Sequence, residues 1–113
     1  PFLGTLQDRG FKVALVTDGR MSGASGKVPA AIHLVPEAAC GGLLAKIQDG
    51  DVIRVNAVTG ELAFMGDLAE INAREAAIQP RDGERGCGRE LFAVNRKNIS
   101  NAERGASYLF GEA

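Results

Sequence analysis

The chain has 113 residues, 45% of them hydrophobic and 24% charged, with a formal net charge of −1 from 13 basic and 14 acidic side chains. That length supports one core, and that composition excludes a disordered tail. The near-neutral balance leaves no clustered basic surface for nucleic acid, and with no apolar run longer than four residues, as at 13–16, no membrane-spanning helix is expected.

In chain order, residues 2–8 read as a helix with Phe2, Leu3 and Leu6 on one face and Gly10 as its stop. The chain opens without Met and in the middle of a helical pattern, so a fragment of a larger protein is expected, with no secretory leader. Residues 12–17 read as a buried strand. The strand runs into a loop with Asp18, Gly19, Arg20, Ser22, Gly23, Ser25 and Gly26. Residues 28–35 are apolar, are broken by Pro29 and carry His33, the sole histidine. Residues 36–40 read as a helical turn opened by Pro36, with Gly41 just past its end.

Residues 43–47 form a candidate strand, followed by turn chemistry at 48–51. Residues 52–58 alternate, with Ile53, Val55 and Ala57 on one face and Arg54 and Asn56 on the other. Thr59 and Gly60 turn the chain into 61–65, which completes a β-hairpin. Asp67 and Glu70 resemble a capping box opening a helix to about Ile78, with Leu68 and Ile71 on the same face. Residues 79–88 are a polar loop. A second helix over 89–98 has Leu91, Phe92 and Val94 as its apolar part, and a capped turn follows at 100–105. Residues 108–110 are expected to pack back on the body. Strands, a hairpin and short helices without βαβ alternation predict an α+β domain with a compact, barrel-like sheet.

The loop at 17–26 draws the functional reading. Its glycines let the backbone approach a ligand, its serines offer hydroxyls, and Arg20 and Lys27 add positive charge. Such a loop after a strand suits an anion, although neither GxxxxGK[ST] nor GxGxxG is present. A long glycine-rich turn with no ligand remains the alternative, as does a stand-alone anion-binding module. Cys40 and Cys87 belong to no CxxC pair and read as buried or idle thiols in a reducing cytoplasm rather than as cluster ligands, with a single disulfide between them as the alternative.

The stretch Leu15-Val-Thr-Asp-Gly-Arg-Met-Ser-Gly23 resembles the (S/T)-D-(G/A)-R-(F/M)-S-G signature of the dihydroxyacid dehydratase and phosphogluconate dehydratase family. His33-Leu-Val-Pro-Glu-Ala38 is similar to that family's H-x-x-P-E-A element, and Gly42 with Asp49-Gly-Asp-Val-Ile53 to its G-G…D-G-D-x-I stretch. Met21 and the segments at 86–92 and 102–106 lie closest to the branch acting on phosphorylated sugar acids; the branched-chain dihydroxy-acid branch is the alternative.

The resemblance implies a hydro-lyase that converts its substrate to a 2-keto-3-deoxy product. It implies an iron–sulfur cluster, of the 4Fe-4S type, whose cysteines lie in a larger N-terminal domain of the same polypeptide, with Mg²⁺ in the full-length enzyme. It implies a homodimer in the cytoplasm, and a swivelling β/β/α domain for this chain. Ser22 is then the base that takes the C2 proton, with Ser25, Arg20 and Gly23 at the substrate. Asp18, His33 and Glu37 shape the loop from behind, and Arg89 is a further candidate for the substrate phosphate. This chain alone is expected to bind no metal and to be inactive.

Overall fold

In the computed structural model, which describes residues 2–22, 26–77, 86 and 88–109, the chain divides into two units, Pro1–Ala76 and Ala77–Ala113. The first unit opens with helix α1 (Phe2–Asp8). It ends where Gly10 takes φ 90° and the Phe11 N–H reaches back to the Leu6 carbonyl. Gln7 and Asp8 bond the Lys27 carbonyl and ammonium respectively, tying the helix to the segment before the second strand.

Strand β1 (Leu15–Val16) pairs in parallel with β2 (Ala30–Ala31), in register Leu15 with Ala30 and Val16 with Ala31. The Leu15 N–H to Pro29 carbonyl and Thr17 N–H to Ala31 carbonyl bonds, both 2.9 Å, flank the pair. The expected strand over 12–17 is thus shortened, and its residues are half-buried or exposed rather than buried. Strand β2 is an addition that Pro29 obscured, since proline sits readily at the start of a strand. Parallel neighbours need a long connection, and here that connection is the glycine-rich loop.

A short 3-10 helix follows at Ala38–Cys40. Gly41 closes it at φ 85°, a left-handed conformation that a residue with a Cβ adopts at a cost. The Gly41 N–H bonds the Ala38 carbonyl at 3.1 Å and the Gly42 N–H bonds the Glu37 carbonyl at 2.9 Å, the paired pattern that ends many helices. A second 3-10 helix occupies Leu43–Lys46, where a strand was expected. Short apolar runs are ambiguous in period, and Leu, Leu, Ala and Lys favour helix over the β-branched composition of strands.

The hairpin is as the alternation predicts. Strand β3 (Ile53–Asn56) pairs antiparallel with β4 (Glu61–Phe64), from Ile53 with Phe64 to Asn56 with Glu61. The Asn56 side-chain oxygen accepts from the Val58 and Thr59 N–H groups at 3.0 and 3.2 Å and so shapes the turn.

Helix α2 (Leu68–Ala73) is capped by Asp67, whose carboxylate accepts from the Ala69 N–H at 2.8 Å. It is shorter than predicted. Arg74 leaves the helical conformation, and its guanidinium bonds the Asp51 carboxylate, while Lys46 donates to the Asn72 carbonyl at 2.6 Å. Ile78 lies outside the described residues. Ile71 is the one fully buried hydrophobic side chain among them.

In the second unit, helix α3 (Ala93–Asn98) is shorter than the expected 89–98, because residues 88–92 form turns. Asn101 caps a 3-10 helix at Ala102–Arg104, accepting from the Arg104 N–H at 3.0 Å. Tyr108 and Leu109 are 50% and 71% exposed, so the expected packing of this tail is not seen at those two positions; Phe110 lies outside the described residues.

The mixture of helix and sheet agrees with an α+β reading. The barrel does not: the described strands form two separate two-stranded sheets. No helix of the described residues is long and apolar enough to cross a membrane.

Candidate functional site

Strand β1 delivers the chain into the loop at the carboxyl end of a parallel pair, the position from which such sheets present ligand-binding loops. The loop's entry is held by four bonds. The Thr17 hydroxyl accepts from the Gly19 N–H at 3.0 Å. The Gly19 carbonyl accepts from the His33 N–H at 2.9 Å, and the Thr17 carbonyl from the Leu34 N–H at 3.3 Å. The Asp18 carboxylate accepts from the Ala38 N–H at 2.8 Å in a part-buried setting.

Asp18 is therefore half-buried, with its carboxylate bonded to the 36–42 turn. Arg20 and Ser22, by contrast, are exposed, and Met21 between them is half-buried. Gly23 and Ser25, expected at the substrate, lie outside the described residues.

His33 sits at φ 54°, where non-glycine residues are uncommon, and its side chain is exposed. It contributes to the loop through its main-chain N–H. Glu37 precedes the 3-10 helix with φ −63° and ψ 155° and makes no side-chain capping bond. The structure thus gathers Asp18, His33 and the Glu37–Ala38 peptide around the loop's entry. The missed partners are Thr17, whose place directly before Asp-Gly was a turn signal, and the Ala38 N–H, which no side-chain pattern reveals.

Two open clefts in the first unit lie apart from Ser22. One, of about 620 Å³, is lined by Phe11, Lys12, Pro29 and Val55 among others. The other, of about 520 Å³, is lined by residues such as Leu34, Pro36, Gly42 and Phe64 and contains no titratable side chain. Neither offers a general acid and base together.

Among the described residues no group of three or more His, Cys, Asp or Glu side chains could hold a metal ion. Cys40 is a free, exposed thiol, and Cys87 lies outside the described residues. A cluster is held by several thiolates, so the described residues alone do not fit an iron–sulfur group. Arg89, in the second unit, is exposed, and its carbonyl accepts from Arg96 at 2.6 Å.

Residues 2–106 match the family described as dihydroxy-acid/6-phosphogluconate dehydratase, C-terminal. The chain is 66% identical over 106 residues to a phosphogluconate dehydratase of Pseudomonas aeruginosa, covering 94% of the chain and 17% of that relative. It is 61% identical over 110 residues to the phosphogluconate dehydratase of Escherichia coli K12, covering 96% of the chain and 18% of the relative. A dihydroxy-acid dehydratase of Wolinella succinogenes is 44% identical over 72 residues, 64% of the chain and 13% of that relative. The chain thus spans less than a fifth of the length of these curated relatives.

Proposed function

Because the chain belongs to the dihydroxy-acid/6-phosphogluconate dehydratase C-terminal family, we propose that it is the C-terminal part of a 6-phosphogluconate dehydratase. The reaction is loss of water from 6-phospho-D-gluconate to give 2-keto-3-deoxy-6-phosphogluconate, in the cytoplasm and within the Entner–Doudoroff route. The observation that carries this reading is 66% identity to a phosphogluconate dehydratase over 94% of the chain. The dihydroxy-acid relative matches a shorter stretch at lower identity.

In the proposed role the Ser22 hydroxyl acts at C2. Deprotonated to its alkoxide, it takes the C2 proton and becomes the neutral hydroxyl again; the C2–H electron pair becomes the C2–C3 double bond, and hydroxide leaves C3 with a proton as water. The enol then tautomerises to the ketone. The support is placement: Ser22 is exposed on a loop at the carboxyl end of β1, and that loop's entry is fastened by Asp18. Serine is a weak base near neutral pH and needs activation by a base or by positive charge. Arg20 supplies one such charge on the same loop. Further charge must come from the rest of the polypeptide, where the reading also places the iron–sulfur group and Mg²⁺. Phe2, Leu91 and Leu109, 85%, 75% and 71% exposed, are apolar surface available for packing in the longer protein, a homodimer in this proposal.

The test is an assay of the full-length enzyme on 6-phospho-D-gluconate and on branched 2,3-dihydroxy acids. Preference for the phosphorylated sugar acid supports the assignment. Preference for the branched acids moves the chain to the other branch, and no dehydration of either refutes the enzyme reading.

A further inference from the structure

We propose that Asp18 is the positioning residue of the serine loop. Its carboxylate, by accepting from the Ala38 N–H, fixes where the chain enters the loop and hence where Ser22 is presented. The proposal rests on the reading of Ser22 given above.

Ser22 is exposed and so is not held by packing of its own side chain. A glycine-rich segment must be ordered from outside, because its backbone entropy is high. The far end is tied through Lys27 to helix α1. The near end is tied by Asp18, and this is a bond between residues twenty apart, to a turn with its own closed hydrogen-bond pattern. A bond with a charged acceptor is stronger than a neutral one and tightly directional. The carboxylate is thereby fastened to the 36–42 turn in a part-buried setting. Asp18 thus acts through Ser22 rather than on the reacting atoms. Misplacement of a reacting group by about 1 Å costs on the order of 10²-fold in rate, which is the scale of effect at stake.

The backbone allows the donor to be deleted cleanly. Ala38 is the first residue of its 3-10 helix, a position that tolerates proline. Glu37 before it already has φ −63° and ψ 155°, the region a residue preceding proline prefers. Ala38→Pro therefore removes the N–H that Asp18 uses while leaving the turn's conformation accessible.

The experiment uses the full-length enzyme with Asp18→Ala, Asp18→Asn, Ala38→Pro and the double variant Asp18→Ala/Ala38→Pro. Turnover is measured with 6-phospho-D-gluconate, and amide hydrogen exchange is followed over residues 17–22 and 36–42. Asp18→Ala is expected to lower kcat by roughly 10- to 100-fold with KM within about threefold. Asp18→Asn, whose amide oxygen still accepts from Ala38, should recover most of that loss. Ala38→Pro should resemble Asp18→Ala, and the double variant should be no worse than the poorer single one. Exchange over both segments should speed up in Asp18→Ala.

Three results overturn the proposal: Asp18→Asn as impaired as Asp18→Ala, losses that multiply in the double variant, or exchange unchanged in Asp18→Ala. Should Asp18→Ala fail to fold, Asp18→Asn and Ala38→Pro decide the matter. A Ser22→Ala enzyme that keeps turnover defeats the reading of Ser22 instead, and the exchange data still decide whether Asp18 fixes the loop.

Discussion

Arg74 grips Asp51 with both terminal nitrogens of its guanidinium, Nη1 to Oδ2 at 2.6 Å and Nη2 to Oδ1 at 3.1 Å. The same Arg74 reaches Glu70 at 2.9 Å and the Lys46 carbonyl at 3.4 Å. One side chain thereby joins the end of helix α2, the 48–51 turn and the second 3-10 helix. The Arg74 and Asp51 side chains are 19% and 12% exposed, so the pair is better shielded than the surface pair Arg54–Glu61 at 3.7 Å.

This pair sets an acid limit. The Arg74 hydrogen bonds, reinforced by the Gln48 N–H, hold the Asp51 carboxyl below its ordinary value of 3.8. A depressed carboxylate contributes stability above its unfolded value, and that contribution is lost as pH falls through the folded value. Arg74 is pushed upward by its two carboxylate partners and stays charged throughout. Thermal melts from about pH 6 to about pH 2 should therefore show a loss of stability below about pH 4 that shrinks in Asp51→Asn. Equal acid sensitivity in both proteins would remove Asp51 from the account.

Ile71 is expected to be the most costly hydrophobic truncation in the first unit. It alone among the described hydrophobic side chains has no exposed surface. Ile71→Ala should cost about 2–5 kcal/mol, read from the denaturant midpoint of the full-length enzyme. Val58→Ala, at a position 96% exposed, should stay within about 0.5 kcal/mol.

Gly42 is confined by space rather than by backbone angle. Its φ is −63°, yet a Cβ there would lie 1.9 Å from the Pro36 carbonyl oxygen and 2.9 Å from that of Glu37. Gly42→Ala must push open the turn that receives Asp18. The expected outcome is a destabilisation of at least about 1–3 kcal/mol together with a fall in kcat. A Gly42→Ala enzyme with an unchanged melting temperature would show that the turn yields freely.

Turns and caps were the most legible parts of the fold. Gly10, Gly41 and Asp67 each stand at an element end, where a left-handed residue or a side-chain acceptor is needed, and the structure places them there. The 53–64 hairpin was equally plain, because residues 52–58 alternate and its turn carries Gly60. The helix at Leu43–Lys46 was not legible, since five apolar-rich residues fit either period. Helix α2 ended early because Arg74 answers to Asp51, a partner twenty-three residues away that no local pattern reveals. The expected barrel failed for a related reason: closure depends on long-range strand pairing, and the described strands pair only two by two. At the loop, the motif singled out Ser22 and Asp18 as candidates, whereas the Ala38 N–H that bonds Asp18 is main chain and carries no sequence signal.

The most direct measurement is the turnover of full-length Ser22→Ala on 6-phospho-D-gluconate, taken alongside substrate binding and melting temperature. If the Ser22 hydroxyl takes the C2 proton, kcat falls by roughly 10²- to 10⁴-fold while binding and stability are kept. A variant that turns over within about threefold of the parent contradicts that role.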